Sequence, residues 1–466
     1  MSSGWHWWVQ VGVIVYFLLL NGTYLLLNLL SMVSLLGYIR RHAEIGEAAP
    51  YLGVEPAISV LMPAFNEEAT IRTSVRSMLQ LQYPELEVIV INDGSKDSTL
   101  AVLSEEFDLL AYPEPLRQAV PHKPVVGIYR SRRYPNLKVL DKENGGKADA
   151  LNAGINAARH GLFCGVDADS ILQRDSLLRV VQPFLEDTHT IAAGGTVRIA
   201  NGSTVRGGFL VSAGLPTNWI ARFQIVEYLR AFLFGRLGWS PLNAVLIISG
   251  AFGLFDRERV MQVGGYRSDT VGEDMELVVR LHRHHRLNRI PYCIRYLPDP
   301  ICWTEAPEDI GTLGRQRSRW QRGLAESLAA HPRLCFSTRG GAPGWLAWPF
   351  MAVFEWLGPL IELAGYLFML VGLAMGWISH TAMAIFLLVA IGMGILLSVN
   401  GLLLETMSFR VYNRRRDVLR LFGMAVLENF GYRQLNTLWR CRGMYQWFAR
   451  RKHSWGTMRR SGKWGQ

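Results

Sequence analysis

The sequence predicts an α/β domain built on a parallel sheet and held between membrane-spanning helices. Three observations carry this reading. From residue 57 onward, short apolar runs rich in β-branched residues alternate with segments of helical spacing. Residues 1–39 and 363–404 contain no Asp, Glu, Lys or Arg, and each stretch exceeds the roughly 20 helical residues that cross a hydrocarbon core. Cations gather where those stretches end, at Arg40 and Arg41 and again at Arg410 and Arg414 to Arg416.

The first element is an anchor over residues 5–39. Trp5, Trp7 and Trp8 open it as an aromatic belt, and the cations follow the apolar run rather than precede it. A signal peptide has the reverse order, so an uncleaved helix with its N-terminus outside is expected. Residues 55–335 then read as one cytosolic domain. Strands are expected at 58–62 and 86–91 with a helix at 67–81 between them, and at 137–140 and 162–166 with a helix at 147–159 between them. Residues 108–135 carry five prolines and read mainly as loop. Residues 345–408 hold two further membrane helices, divided at Gly376-Trp377-Ile378-Ser379-His380. Within them, 345–357 contains Glu355 and reads as the start of the first span or as an interfacial helix. Residues 409–466 form a basic cytosolic or interfacial segment, in which 419–439 spans, re-enters or lies in the plane.

Composition narrows the function. Half of the residues are hydrophobic and only 19% are charged, which excludes a disordered chain. Five Cys without a CxxC pair exclude a disulfide scaffold or a zinc site. The net charge of +11 fits nucleic acid or an anionic membrane surface. Its distribution decides: residues 406–466 hold fourteen Lys and Arg against Asp417 and Glu428, which leaves the rest of the chain close to neutral. The expected partner is anionic membrane lipid, not nucleic acid.

Several groups can carry chemistry, and three of them follow strands, where ligands of open α/β sheets lie. Asp93, in Asn92-Asp93-Gly94-Ser95, ends the second strand; the same composition also suits a turn and a helix cap. Asp167-Ala168-Asp169 follows the strand at 162–166, and two carboxylates so placed can hold a hard divalent cation on phosphates. Gly145-Gly146-Lys147 precedes a helix and offers backbone amides and an ammonium to a phosphate. It is not a Walker loop, and no GxGxxG follows the first strand. Glu273 and Asp274 open a helix, either as dipole partners or as a general base. Gln316-Arg317-Ser318-Arg319-Trp320 joins a guanidinium suited to diphosphate to an indole suited to a sugar face; a cationic helix on the membrane has the same composition.

The order Asp93, Asp167-Ala168-Asp169, Glu273-Asp274, Gln316 to Trp320, between membrane anchors, resembles the processive family 2 glycosyltransferases, which include cellulose, chitin, hyaluronan and poly-N-acetylglucosamine synthases. Pro63 to Glu68, Gly146 to Asn152 and Ser249-Gly250-Ala251-Phe252 look like further landmarks of that family, and Gln316 to Trp320 matches QxxRW in full. One position departs: Gly272 stands where the family usually has Thr before Glu-Asp.

The resemblance implies a GT-A type α/β domain with flanking transmembrane and interfacial helices, in the inner (plasma) membrane with its catalytic domain in the cytosol. It implies a UDP-sugar donor, a growing polysaccharide acceptor, and Mg²⁺ or Mn²⁺. Asp93, Lys147, Asp167 and Arg319 would bind the donor, and Asp169 with Asp167 the metal. Gln316, Trp320, Ser249 and Gly250 would face the acceptor. Asp274, with Glu273 beside it, would be the base in an inverting transfer that yields a β-linked polymer and exports it. UDP-N-acetylglucosamine is the favoured donor, because little chain remains for a C-terminal regulatory domain like that of many cellulose synthases. The alternatives are a transferase moving one sugar onto a lipid phosphate and a non-catalytic transporter or scaffold.

Overall fold

The structure is a computed structural model that describes residues 4–45, 53–412 and 414–450; the last part of the basic tail, 451–466, lies outside the described residues. Among the described residues there are twelve strands: β1 (Ile58–Ala64), β2 (Leu86–Asp93), β3 (Leu109–Ala111), β4 (Val125–Ser131), β5 (Leu137–Lys142), β6 (Leu162–Val166), β7 (Ile171–Leu172), β8 (Thr190–Ile199), β9 (Thr204–Arg206), β10 (Phe209–Ser212), β11 (Phe252–Asp256) and β12 (Cys293–Thr304). Ten of them form one sheet in the order β3-β4-β5-β2-β1-β6-β11-β8-β12-β7, and β9 and β10 pair as a separate hairpin.

The centre of the sheet, β5-β2-β1-β6, is parallel. Its strands are buried on both faces, which is why they read as nearly continuous apolar runs. Val60, Met62, Val88 and Val90 enter one core, while Leu61, Ile89 and Ile91 enter the other. The helices Ile71–Leu79 and Lys147–Ala157 supply these two layers. The chain leaves β1 toward β2 on one side and returns to β6 on the other, so a switch point lies at the carboxyl ends of β1 and β6. This mixed α/β core is consistent with a GT-A type fold.

The segment 108–135 is mainly irregular, as expected, but it also holds two strands. It contains β3 and β4, and β4 runs antiparallel to β5 between Pro124 and Pro135. The prolines stand outside the strand, where no ladder hydrogen bond is lost.

Two helices among the described residues are long and apolar enough to cross a membrane, Trp5–Arg40 and His380–Ser408. Pro343–Trp356 and Gly358–Ala374 pass the same test only as a pair, bent by 45° at the break between them. Residues 419–439 are not one helix: Arg415–Leu427 ends before Glu428, and Tyr432–Phe448 begins after Gly431. Leu421, Met424 and Ala425 of the former join the hydrophobic core of the α/β domain, and the latter packs along the helix Ile310–Ala330. Polar contacts tie the long apolar helices and the segment that follows them to the domain. Arg198 of β8 pairs with Glu405, Arg230 Nη1 reaches Glu428 at 2.6 Å, and Tyr38 bonds to Asp299.

Candidate active site

The site forms where β1, β2 and β6 end. Asp93 is the last residue of β2 and is buried, and its carboxylate is surrounded by donors. Oδ1 accepts from Lys142 Nζ at 2.7 Å and from Gly145 N at 3.0 Å; Oδ2 accepts from Gly146 N at 2.7 Å and from Asn144 Nδ2 at 3.2 Å. A carboxylate offers about four lone-pair sites, so protein groups engage them all. Asp93 therefore shapes the turn that delivers Lys147. Gly146 turns with φ +89, a region that glycine enters without strain, and Lys147 is the first residue of the following helix.

Lys147 is the hub. Its ammonium donates to the Gly250 carbonyl at 2.9 Å and pairs with Asp167, the residue directly after β6. Burial pulls its pKa down, but Asp167, Glu273 and Asp274 more than offset this and hold it above the ordinary lysine range. Lys147, Ser249, Gly250, Glu273 and Asp274 line one cavity together with Tyr266. Asp274 is half-buried, and its Oδ2 accepts from Gly250 N at 3.0 Å, which aims the carboxylate. A Cβ on Gly250 would fall 2.9 Å from Lys147 Nζ and 3.5 Å from Asp274 Oδ2, so a side chain there would push the ammonium aside. Glu273 is buried, and burial pushes its carboxyl up to about 7 although Lys147 opposes the shift.

Asp169 lies half-buried in the turn between β6 and β7. Among the described residues no three His, Cys, Asp or Glu side chains are grouped as a metal site. The pair Asp167 and Asp169 still suits Mg²⁺ or Mn²⁺, hard ions that take one or two carboxylates and complete their shell with water and substrate phosphates.

The helix Ile310–Ala330 brings the last group. Arg319 acts on Glu273, lowering its pKa by its charge. Trp320 is 41% exposed, with its ring 6.3 Å from that of Tyr228. Gln316 is half-buried and its Oε1 accepts from Arg317 Nη1 at 2.9 Å. Arg317, between the motif positions, is buried; it pairs with Glu227 at 2.7 Å and lies 4.2 Å from the centroid of Trp320. Tyr432 Oη also donates to Glu227, at 2.8 Å.

Sequence reading missed Tyr266, Arg236 and Glu227. Burial lowers the pKa of Arg236, against the opposing charges of Tyr296 and Asp274. None of the three sits in a strand-end turn or a recognisable spacing; only packing brings them to the site.

Residues 59–210 match the family described as glycosyl transferase family 2, and residues 163–397, half of the chain, match glycosyl transferase family group 2. The poly-β-1,6-N-acetyl-D-glucosamine synthase of Staphylococcus epidermidis is 31% identical over 272 residues, 58% of this chain and 55% of that protein. The synthase of the same name from Staphylococcus aureus is 31% identical over 274 residues, with the same shares. The chain thus spans about half the length of the curated relatives it matches. In fold, it is similar to a mannosyltransferase from Pyrobaculum calidifontis, solved with GDP-Man and Mn²⁺, at a TM-score of 0.52 and 18% identity; the match covers 89% of this chain and 99% of that one. The matched regions contain the strand-end acids, the Glu273-Asp274 pair and the Gln316 to Trp320 helix, and the chain belongs to glycosyl transferase family group 2.

Proposed function

We propose that this chain is an inverting, processive membrane glycosyltransferase that polymerises a β-linked polysaccharide from a UDP-sugar, with UDP-N-acetylglucosamine favoured, and exports the product. The observation that carries the reading is the aimed carboxylate of Asp274 in one cavity with Lys147, whose ammonium pairs with Asp167. The kinship with poly-N-acetylglucosamine synthases supports the choice of sugar.

The chemistry follows from these positions. Asp274 takes the proton of the acceptor hydroxyl as its oxygen attacks the anomeric carbon from the face opposite the leaving diphosphate. An α-linked donor then gives a β-linked product. Lys147 and Arg319 lie where negative charge grows on the diphosphate, and fixed charges there need no reorganisation as it forms. Asp167 and Asp169 would hold Mg²⁺ or Mn²⁺, which adds further neutralisation of the diphosphate. Asp93 serves the donor through the turn it holds. Trp320 stacks on the acceptor sugar, with Gln316, Ser249 and Gly250 beside it. The domain faces the cytosol of a plasma membrane that the chain crosses more than once, and its basic C-terminal segment lies on anionic lipid.

The test is to supply purified protein in lipid with radiolabelled UDP-sugars one at a time. Filter-trapped polymer from UDP-N-acetylglucosamine, degraded by a β-linkage-specific glycosidase, is the expected result. Label that extracts into organic solvent as glycolipid would replace this reading with single-sugar transfer to a lipid phosphate. Absence of UDP release from every donor would leave a transporter or scaffold.

A further inference from the structure

The two helices that carry Asp274 and Trp320 meet at a pair of glycines. Gly272 immediately precedes the helix Glu273–Leu287, and Gly323 lies on Ile310–Ala330, one turn beyond Trp320. A Cβ on Gly272 would fall 2.9 Å from the Cα, carbonyl carbon and oxygen of Gly323. A Cβ on Gly323 would fall 2.9 Å from Gly272 Cα and 3.0 Å from its nitrogen. Carbon atoms in ordinary contact stand about 3.5–4.0 Å apart, and these neighbours are backbone, which cannot rotate aside. Gly272 has φ −119, which any residue adopts, so its neighbour rather than its own torsion demands glycine.

The contact is also held in place. Glu326 Oε2 accepts from Val271 N and from Thr270 Oγ1, both at 2.9 Å. Ser327 Oγ donates to the Gly272 carbonyl at 3.3 Å. Farther along, His331 Nε2 lies 2.8 Å from Glu276 Oε1. The loop before the acid pair is thus fastened to the helix of the acceptor-facing indole by hydrogen bonds next to the glycine contact, from the turn that follows Gly323.

We infer that Gly272 and Gly323 are positioning residues that set the spacing between the base and the acceptor platform. The inference rests on the proposed roles of Asp274 and Trp320. A methyl group at either position must drive the two helices apart by a large fraction of an ångström. Asp274 is two residues from one glycine and Trp320 three residues from the other, so the displacement reaches both. Lys147 and the turn that Asp93 holds hang on other elements, the helix Lys147–Ala157 and β2, and keep their place. The defect therefore falls on transfer to the acceptor, and water competes better for the donor.

The experiment uses the full chain in nanodiscs, with activity expressed per UDP-binding site so that misfolded protein drops out. Gly272→Ala and Gly323→Ala are compared with wild type and with Gly161→Ala, where nothing lies within 4 Å of the added methyl. Each of the two variants is expected to lose roughly 10- to 100-fold in kcat for polymer formation, the range for a misplacement near 1 Å. The UDP dissociation constant should stay within about twofold, and the ratio of UDP-sugar hydrolysis to elongation should rise. The double variant should be less impaired than the product of the single losses, because both methyls open the same gap. Gly161→Ala should match wild type. Wild-type kcat and partitioning in Gly272→Ala would overturn the inference alone. Loss of UDP binding in that variant would also overturn it, by assigning the contact to the fold as a whole. A wild-type protein that transfers no sugar would overturn the proposed function and this inference with it.

Discussion

Replacing Asp93 by Asn separates a carboxylate that shapes the site from one that touches the nucleotide. The exchange keeps the size of the side chain but removes its charge and turns one acceptor oxygen into a donor. In the structure that charge faces Lys142, whose side chain has no exposed surface and sits 2.7 Å away. Breaking a buried pair by removing one partner costs roughly 3–5 kcal/mol. Here Asp149 remains 3.5 Å from the same ammonium, which offsets part of the loss. The new amide would also oppose the N–H of Gly146 or the ammonium itself, forfeiting a charge-assisted hydrogen bond worth about 1.5–3 kcal/mol. A net destabilisation of about 3 kcal/mol is expected, a fall in Tm of roughly 5 °C for a domain of about 280 residues. Thermal unfolding followed by tryptophan fluorescence in detergent, with and without UDP, reads it directly. UDP affinity should fall as well, because the Asn144-to-Lys147 turn loses its anchor. An Asn variant with unchanged Tm in the absence of UDP, but UDP binding at least about tenfold weaker, would refute the reasoning and place the carboxylate on the nucleotide.

Three further outcomes are expected. Asp274→Asn should bind UDP like wild type while turnover drops by roughly 10²–10⁴, the usual contribution of a general base; calorimetry and transfer assays check this, and a near-wild-type rate would remove Asp274 from the role. Burial raises Glu273 from an ordinary 4.5 to about 7, so the native state binds its proton more tightly than the unfolded chain does. Stability should therefore decline as pH rises through that interval, and Glu273→Gln should flatten the decline in Tm against pH; an identical slope in both proteins would contradict it. Glu405→Ala should cost roughly 3–5 kcal/mol by stranding the Arg198 guanidinium in the core, with the loss partly recovered in Glu405→Ala/Arg198→Met. A loss below about 1 kcal/mol in thermal unfolding, the value of an exposed pair, would mean that this contact does not tie the membrane helix to β8.

Much of this molecule is legible as sequence because the relevant forces act locally. Alternation of apolar runs with helical spacing marks β1, β2, β5 and β6, since strands buried on both faces have no polar side to confuse the pattern. Asp93 and Asp167 are readable as candidates because each ends such a run. The other half of the sheet is not readable in the same way. β8 is paired with β11 and β12, which follow it at long sequence separation, and β12 shifts register at Pro300, so pairing rather than propensity makes these segments strands. The basic C-terminal segment shows the same divide. Its charge excess is visible in the composition, yet Arg440 turns inward to Glu355 at 2.8 Å and Arg433 donates to Asn429 at 2.8 Å.

By itself, then, the sequence determined that an α/β domain is carried between apolar helices, and which turns present acids and amides. Those properties depend on neighbours within a few positions along the chain. Only the tertiary structure decided that Asp93 spends its lone pairs on the loop before Lys147, and that Lys147 is held by Asp167 and Gly250 beside Asp274. It alone shows that Gly272 is there for Gly323. Ion pairing, hydrogen bonding and steric exclusion fall off within a few ångströms, and the partners are separated by as many as 103 residues of chain. Distances of that kind are set by the packing of the whole sheet and its helices, and no local spacing encodes them.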